Sequence, residues 1–129
     1  MFKNGILNFQ ILSLLARVRH TNTLVIADRG FPFWPGVETI DLALVDDVPT
    51  VLQVLNAIRQ NFTIRQIYMA KEFLAENPPK VCEEFAQTMA EVPVMYEAHD
   101  DFKIRVPHAI GLIRTADTTQ YANMILVSG

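Results

Sequence analysis

Residues 19–30 read Arg-His-Thr-Asn-Thr-Leu-Val-Ile-Ala-Asp-Arg-Gly, and this stretch decides the fold class. Thr23 to Ala27 is a short, nearly all-apolar run. A strand with one wet face alternates apolar and polar residues. An unbroken apolar run fits a strand covered on both faces, as in a parallel sheet with helices on either side. Asp28, Arg29 and Gly30 end the run abruptly. On its other side, Phe9 to Arg19 reads as a helix. Asn8 is a suitable N-cap, and Leu7, Ile11, Leu14, Leu15 and Val18 fall on one face.

The same alternation continues outward. Phe31 to Val37 (FPFWPGV) is rich in Pro, Gly and aromatics and reads as a loop. Thr39 to Leu44 is a second strand. Asp46 and Asp47 precede Val48-Pro49, which reads as a helix start with acids at the positive dipole end. Val48, Val51, Leu52, Leu55, Ile58 and Phe62 make its buried stripe. Ile64 to Ala70 is a third strand. Pro78-Pro79 opens a helix through about Met89, with Val81, Phe85 and Met89 on one face. Pro93 to Ala98 is a fourth strand, and His99 to about Val106 a short helix. Ile110 to Ile113 and Asn123 to Val127 are the last strands, joined by a polar connection, Asp117 to Gln120. The expected fold is α/β: a single domain over residues 1–129, layered α/β/α, with a mixed, largely parallel sheet of about six strands.

Composition narrows the function. Half of the 129 residues are apolar, enough for a core without staples, and the net charge of −3 with no Lys/Arg run argues against nucleic acid. A single cysteine, Cys82, forms no internal disulfide; with Glu83 and Glu84 beside it, it reads as a packing residue. No Cys/His spacing suggests a metal, and no Gly-rich phosphate loop, HExxH or GxSxG occurs. No signal peptide is visible, nor an apolar run of about 18 residues that would span a membrane. The expected compartment is the cytoplasm, with no membrane partner.

In open α/β sheets, ligands bind outside the carboxyl ends of the strands. This rule selects Asp28 after the first strand, His99 after the fourth and Arg114 after the fifth. Each has a plainer reading. Asp28 beside Gly30 suits a turn, and His99 beside Asp100 and Asp101 suits a helix start. His20 lies before the first strand, so it belongs near that strand's opposite end. There it is either a functional group or a partner of the helix C-terminus. At about 3.3 Å per strand residue, His20 and Asp28 stand roughly 15–20 Å apart within one subunit. His108 reads as a surface loop residue. Tyr121-Ala122-Asn123 reads as the start of a strand, and spacing alone does not select it. Phe31, Phe33 and Trp34 form either a sugar-stacking platform or a loop packed on the core or a neighbouring subunit.

Several segments together resemble the D-ribose pyranase and L-fucose mutarotase family. They are Gly5-Ile6-Leu7-Asn8, the stretch from Arg19 to Gly30, Ile40-Asp41-Leu42-Ala43-Leu44, and Val48-Pro49 with Gln53-Val54-Leu55. Ile113-Arg114-Thr115 and Tyr121-Ala122-Asn123-Met124-Ile125-Leu126 complete the set, in register over nearly the whole chain. The resemblance implies cofactor-free interconversion of the ring forms of an aldose, with the ribose branch favoured by His99 and the run from Thr39 to Leu44. It implies His20 as the acid/base residue, and Asp28, His99, Tyr121 and Asn123 as sugar contacts. It also implies a homo-oligomer, a pentamer-based ring or decamer, with sites at subunit boundaries. The chain departs from the family pattern at Asn22, where a carboxylate is usual, and at Ala116-Asp117, where Gly-Glu is usual. Asn22 and Asp117 favour the main competing expectation, a non-catalytic sugar-binding module; the others are a structural ring protein whose aromatic loop serves assembly and an L-fucose-type mutarotase.

Overall fold

In the computed structural model, which describes residues 1–129, β1 (Thr23–Ala27) lies in the sheet interior. Leu24 to Ala27 are completely buried. The other strands are β2 (Thr39–Asp41), β3 (Ile64–Ala70), β4 (Val94–Glu97), β5 (Gly111–Arg114) and β6 (Met124–Ser128). Their order is β2-β5-β1-β6-β3-β4. β2, β5 and β1 pair in parallel, as do β3 and β4. β6 runs antiparallel to both β1 and β3 and joins the two parallel halves. The expected mixed, largely parallel sheet is therefore present.

Alternate residues of β1 feed two cores. Leu24 and Ile26 face α1 (Phe9–Arg17), α2 (Val51–Arg59), α3 (Lys71–Glu76) and α4 (Pro79–Met89) in a cluster of 19 buried residues. Val25 and Ala27 face a thinner layer made by α5 (His99–Arg105), a following 3₁₀ turn and loop 31–37, whose cluster holds 8 buried residues. The second layer is one short helix plus a loop, and its aromatic side chains supply the bulk that a longer helix would supply. On the thicker side, Gly111 allows α1 to approach β5. A Cβ at this position would stand 2.7 Å from a methyl carbon of Leu14, which is itself completely buried.

Element boundaries differ from expectation where side chains compete for the backbone. α1 ends at Arg17, because Val18 takes an extended conformation and its N–H returns to the Leu15 carbonyl. Leu7 precedes the Asn8 cap and is exposed. β2 stops at Asp41, whose carboxylate accepts the Ala43 N–H and turns the chain. α2 does not begin at Val48-Pro49. Thr50 caps it, in a reciprocal box with Gln53. Asp46 and Asp47 lie outside that first turn, and Asp47 instead accepts from the Thr118 N–H and hydroxyl. The orphan amide of Val51 goes to Asp117, a buried carboxylate from the connection between β5 and β6. α3 has no counterpart in the sequence reading. It follows β3 without a loop, and six residues are too few to show a helical period.

Candidate active site

The carboxyl edge of β1 and β4 meets the amino end of the reversed strand β6, and a cavity of about 240 Å³ opens there. Asp28 leaves β1 as Asn123 enters β6. Their proximity follows from antiparallel pairing, with Ile26 opposite Met124. The Asp28 N–H donates to Asn123 Oδ1 at 2.7 Å, and the Gly30 N–H donates to Asp28 Oδ1 at 3.0 Å. Burial pushes the Asp28 carboxyl above the usual carboxylate range. The amides of Gly30 and Phe31 and the Asn123 side chain oppose that shift, while the negative charge of Asp117 adds to it.

His99 opens α5. Its ring stacks on Phe102, with centroids 6.0 Å apart, and meets the Tyr121 ring edge-on at 5.1 Å. The His99 backbone N–H donates to both oxygens of Glu72, and its buried Nδ1 has no hydrogen-bonding partner in the protein. Tyr121 has φ of +55°, a left-handed conformation uncommon outside glycine. Phe31 adds an apolar wall and packs edge-on against both His99 and Phe102.

The cavity thus joins a carboxyl acceptor, an amide and a hydroxyl that each donate and accept, and an imidazole, beside one aromatic ring. Its volume lies below the roughly 300–1,000 Å³ of drug-sized ligand sites, which suits a small molecule. A neighbouring cavity of about 360 Å³, beyond Phe31 and Pro32, is larger but less equipped. Its charged groups, Asp41 and Arg114, hold each other at 3.0 Å.

The four expected contact residues, Asp28, His99, Tyr121 and Asn123, therefore line one cavity. His20 is not among them. It is exposed in the turn before β1, at the strand's other end. Asn22 shapes that turn: its Oδ1 accepts the Arg19 N–H at 2.8 Å. Arg114 acts as a strut, bonding Asp41 and the Arg29 carbonyl. His108 is exposed in the 3₁₀ turn, and Cys82 packs half-buried against the larger core. In the aromatic loop Phe31 is core and cavity wall at once, Trp34 is half-buried, and Phe33 is exposed. Gly30, Phe31, Pro32 and Gln120 also line the cavity. For Gln120 the only sequence signal is its place beside Tyr121.

The fold and cavity define a class: a small α/β protein whose site, at the edge of a six-stranded sheet, fits a monosaccharide-sized ligand. The chain belongs to the RbsD / FucU transport protein family, whose family model matches residues 1–129. It is 43% identical, over all of its length and 97% of the relative's, to a D-ribose pyranase of Geobacillus thermodenitrificans (strain NG80-2). A D-ribose pyranase of Bacillus cereus (strain B4264) is 39% identical over the whole chain and 98% of its own length. The solved structure of Bacillus subtilis RbsD complexed with D-ribose superposes with a TM-score of 0.92 at 33% identity, covering 100% of this chain and 98% of that one. The fucose mutarotase of Streptococcus pneumoniae in complex with L-fucose shares the fold, with a TM-score of 0.79 at 21% identity, over 93% of this chain and 91% of that one. No helix is long and apolar enough to cross a membrane.

Proposed function

We propose that residues 1–129 form one sugar mutarotase domain, an isomerase that interconverts the pyranose and furanose forms of D-ribose. The carrying observation is the cavity that gathers Asp28, His99, Tyr121 and Asn123 in a chain this similar to proteins named D-ribose pyranase. The L-fucose alternative is not favoured, since the relatives of higher identity carry the ribose name.

The chemistry balances within sugar and protein. Opening removes the proton of the anomeric hydroxyl, forms the C1 carbonyl, breaks the bond from C1 to the ring oxygen and returns a proton to that oxygen. Closing repeats the sequence in reverse with a different hydroxyl attacking C1. An imidazole, titrating at about 6.5 in free peptides, can take or give a proton near neutral pH. In this reading His20 transfers the proton and Asp28 accepts sugar hydroxyl protons. His99, Tyr121 and Asn123 fix the remaining hydroxyls. His20 reaches the cavity from a second copy of the chain, in a ring-shaped homo-oligomer, pentamer-based or decameric. Support comes from its exposure at the end of β1 away from Asp28. The reading places the enzyme in the cytoplasm, acting on sugar after uptake.

Saturation-transfer NMR on ribose tests the proposal. The protein accelerates exchange between ring forms, more for ribose than for L-fucose, and His20→Ala removes the acceleration while folding normally. Ribose binding without accelerated exchange would sink the enzyme and leave a sugar-binding module.

A further inference from the structure

We infer that Glu72 and Asn77, at the two ends of α3, are positioning residues of the cavity, Glu72 for His99 and Asn77 for the turn that carries Tyr121. The inference deepens the ribose-site reading and rests on it for its kinetic arm alone.

The first tie is at the start of α5. The first amides of a helix lack partners within it. Ala98, the capping residue here, offers no side-chain acceptor. Glu72 fills that role from another element. Its two oxygens accept the His99 N–H at 3.1 and 3.0 Å. Glu72 is half-buried and takes no part in any ion pair, which leaves its carboxylate to the His99 amide.

The second tie is at the other end of α3. Asn77 Nδ2 donates to the Phe73 carbonyl at 2.9 Å and to the Gln120 carbonyl at 2.8 Å. The Gln120 carbonyl belongs to the peptide that leads into Tyr121, whose left-handed backbone needs holding from outside. α3 itself cannot drift. It continues directly from β3, and Phe73 is completely buried against Phe85, with ring centroids 4.7 Å apart. One short helix therefore grips, by its two ends, the two segments whose side chains meet edge-on at 5.1 Å in the cavity.

The test compares Glu72→Ala, Glu72→Gln and Asn77→Ala with a charge-matched control on the same helix, Glu76→Gln, which is exposed. The readouts are KM and kcat for ribose exchange, melting temperature, and the His99 and Tyr121 NMR signals in ligand-free protein. Glu72→Ala raises KM by about tenfold with a smaller change in kcat, as expected when a charged hydrogen bond that orients a binding group is lost. It also shifts the His99 amide and ring signals. Glu72→Gln keeps one acceptor oxygen and recovers most of the loss. Asn77→Ala raises KM less and shifts the Tyr121 signals. Glu76→Gln changes neither.

Equal KM values and equal His99 signals in Glu72→Ala and Glu76→Gln overturn the inference. So does a Glu72→Gln as impaired as Glu72→Ala with an equally lowered melting temperature, which marks a purely structural residue. In the wild-type protein the His99 amide is protected from hydrogen exchange; rapid exchange overturns the inference even if Glu72→Ala does not fold. Wild-type protein that neither binds ribose nor speeds its exchange defeats the function reading, while the ligand-free signals still decide the role of α3.

Discussion

The two ends of β1 are built for different work. At the carboxyl end the cavity is held by hydrogen bonds: the Gly30 N–H to the Asp28 carboxylate, the Asp28 N–H to Asn123, and the backbone of His99 to Glu72. At the amino end the arrangement is inverted. The backbone of the turn is pinned, by the Thr21 N–H on the Ser128 carbonyl and by Asn22 on Arg19, while the His20 side chain stands exposed. Both ends hold a non-glycine residue in the left-handed region, Thr21 at φ +67° and Tyr121 at φ +55°. Such strain persists only where the surroundings over-determine it. The difference teaches that one strand is fastened in two ways: one end closes polar groups around a cavity, and the other fixes a backbone turn and leaves an imidazole facing solvent.

The strongest way to break this comparison is to remove one end at a time. His20→Ala lowers the rate of ribose exchange by about 10²- to 10⁴-fold, the usual weight of a positioned acid–base group, and Asp28→Asn, which removes a charged acceptor for sugar hydroxyls, lowers it by up to about 10²-fold. Only Asp28→Asn weakens ribose binding, measured by titration calorimetry. Equal weakening by both would mean that the ends do not divide the labour. Mixing the two inactive variants after dissociation and reassembly restores roughly a quarter of wild-type activity if random partners share sites across a heterologous boundary. No recovery in the mixture would refute the shared site.

Stability separates the ends further. Gly111 pairs with Leu24 near the amino end of β1, and Gly111→Ala lowers stability by about 1–3 kcal/mol in chemical denaturation, since the buried Leu14 has no room to yield. Asp28→Asn acts in the other direction. Because the folded pKa of Asp28 is raised, the folded state holds the proton more tightly than the unfolded chain does. Its ionisation therefore takes stability away as pH rises from the ordinary value of 3.8 through the raised one. Asp28→Asn melts at a higher temperature than wild type at pH 7, and the gap closes towards pH 3; a lower melting temperature at pH 7 contradicts the assignment. The smallest effect belongs to Asn22→Asp. An aspartate can accept the same Arg19 N–H, so stability changes by less than about 0.5 kcal/mol. A large change in exchange rate for this variant would show that charge beside His20, not turn geometry, limits the amino end.

The parts legible in the sequence are those governed by local pattern. The apolar run of β1 and the span of β3 were readable to the residue, and the Pro78-Pro79 start of α4 nearly so. The start of α2 was misplaced because Val48-Pro49 looks like a helix opening. The capping pair Thr50 and Gln53 was the better signal. Asp117 reads as part of a polar connection, yet it is buried, because the amide it serves lies 66 positions away. The same limit applies to the site. Asp28 and His99 follow strands, so the carboxyl-edge rule selects them. Tyr121 and Asn123 precede a strand, and only the reversal of β6 brings them to that edge, which no local pattern reveals. Glu72 and Asn77 were hidden because α3 is too short to announce itself.

That reversed strand also bears on how the protein comes to exist. β6 is the last strand in chain order yet occupies the middle of the sheet, between β1 and β3. β5, which joins β2 to β1, also comes late in the chain, so until both β5 and β6 are present β1, β2 and the β3-β4 pair keep open edges of the kind that invite aggregation. The growing chain therefore has to keep an unfinished sheet in solution until these two strands have been made. The pairings that close it are distant in the chain, about a hundred residues for β1 with β6 and about sixty for β3 with β6, which makes for slow closure by the ordinary dependence of rate on contact separation.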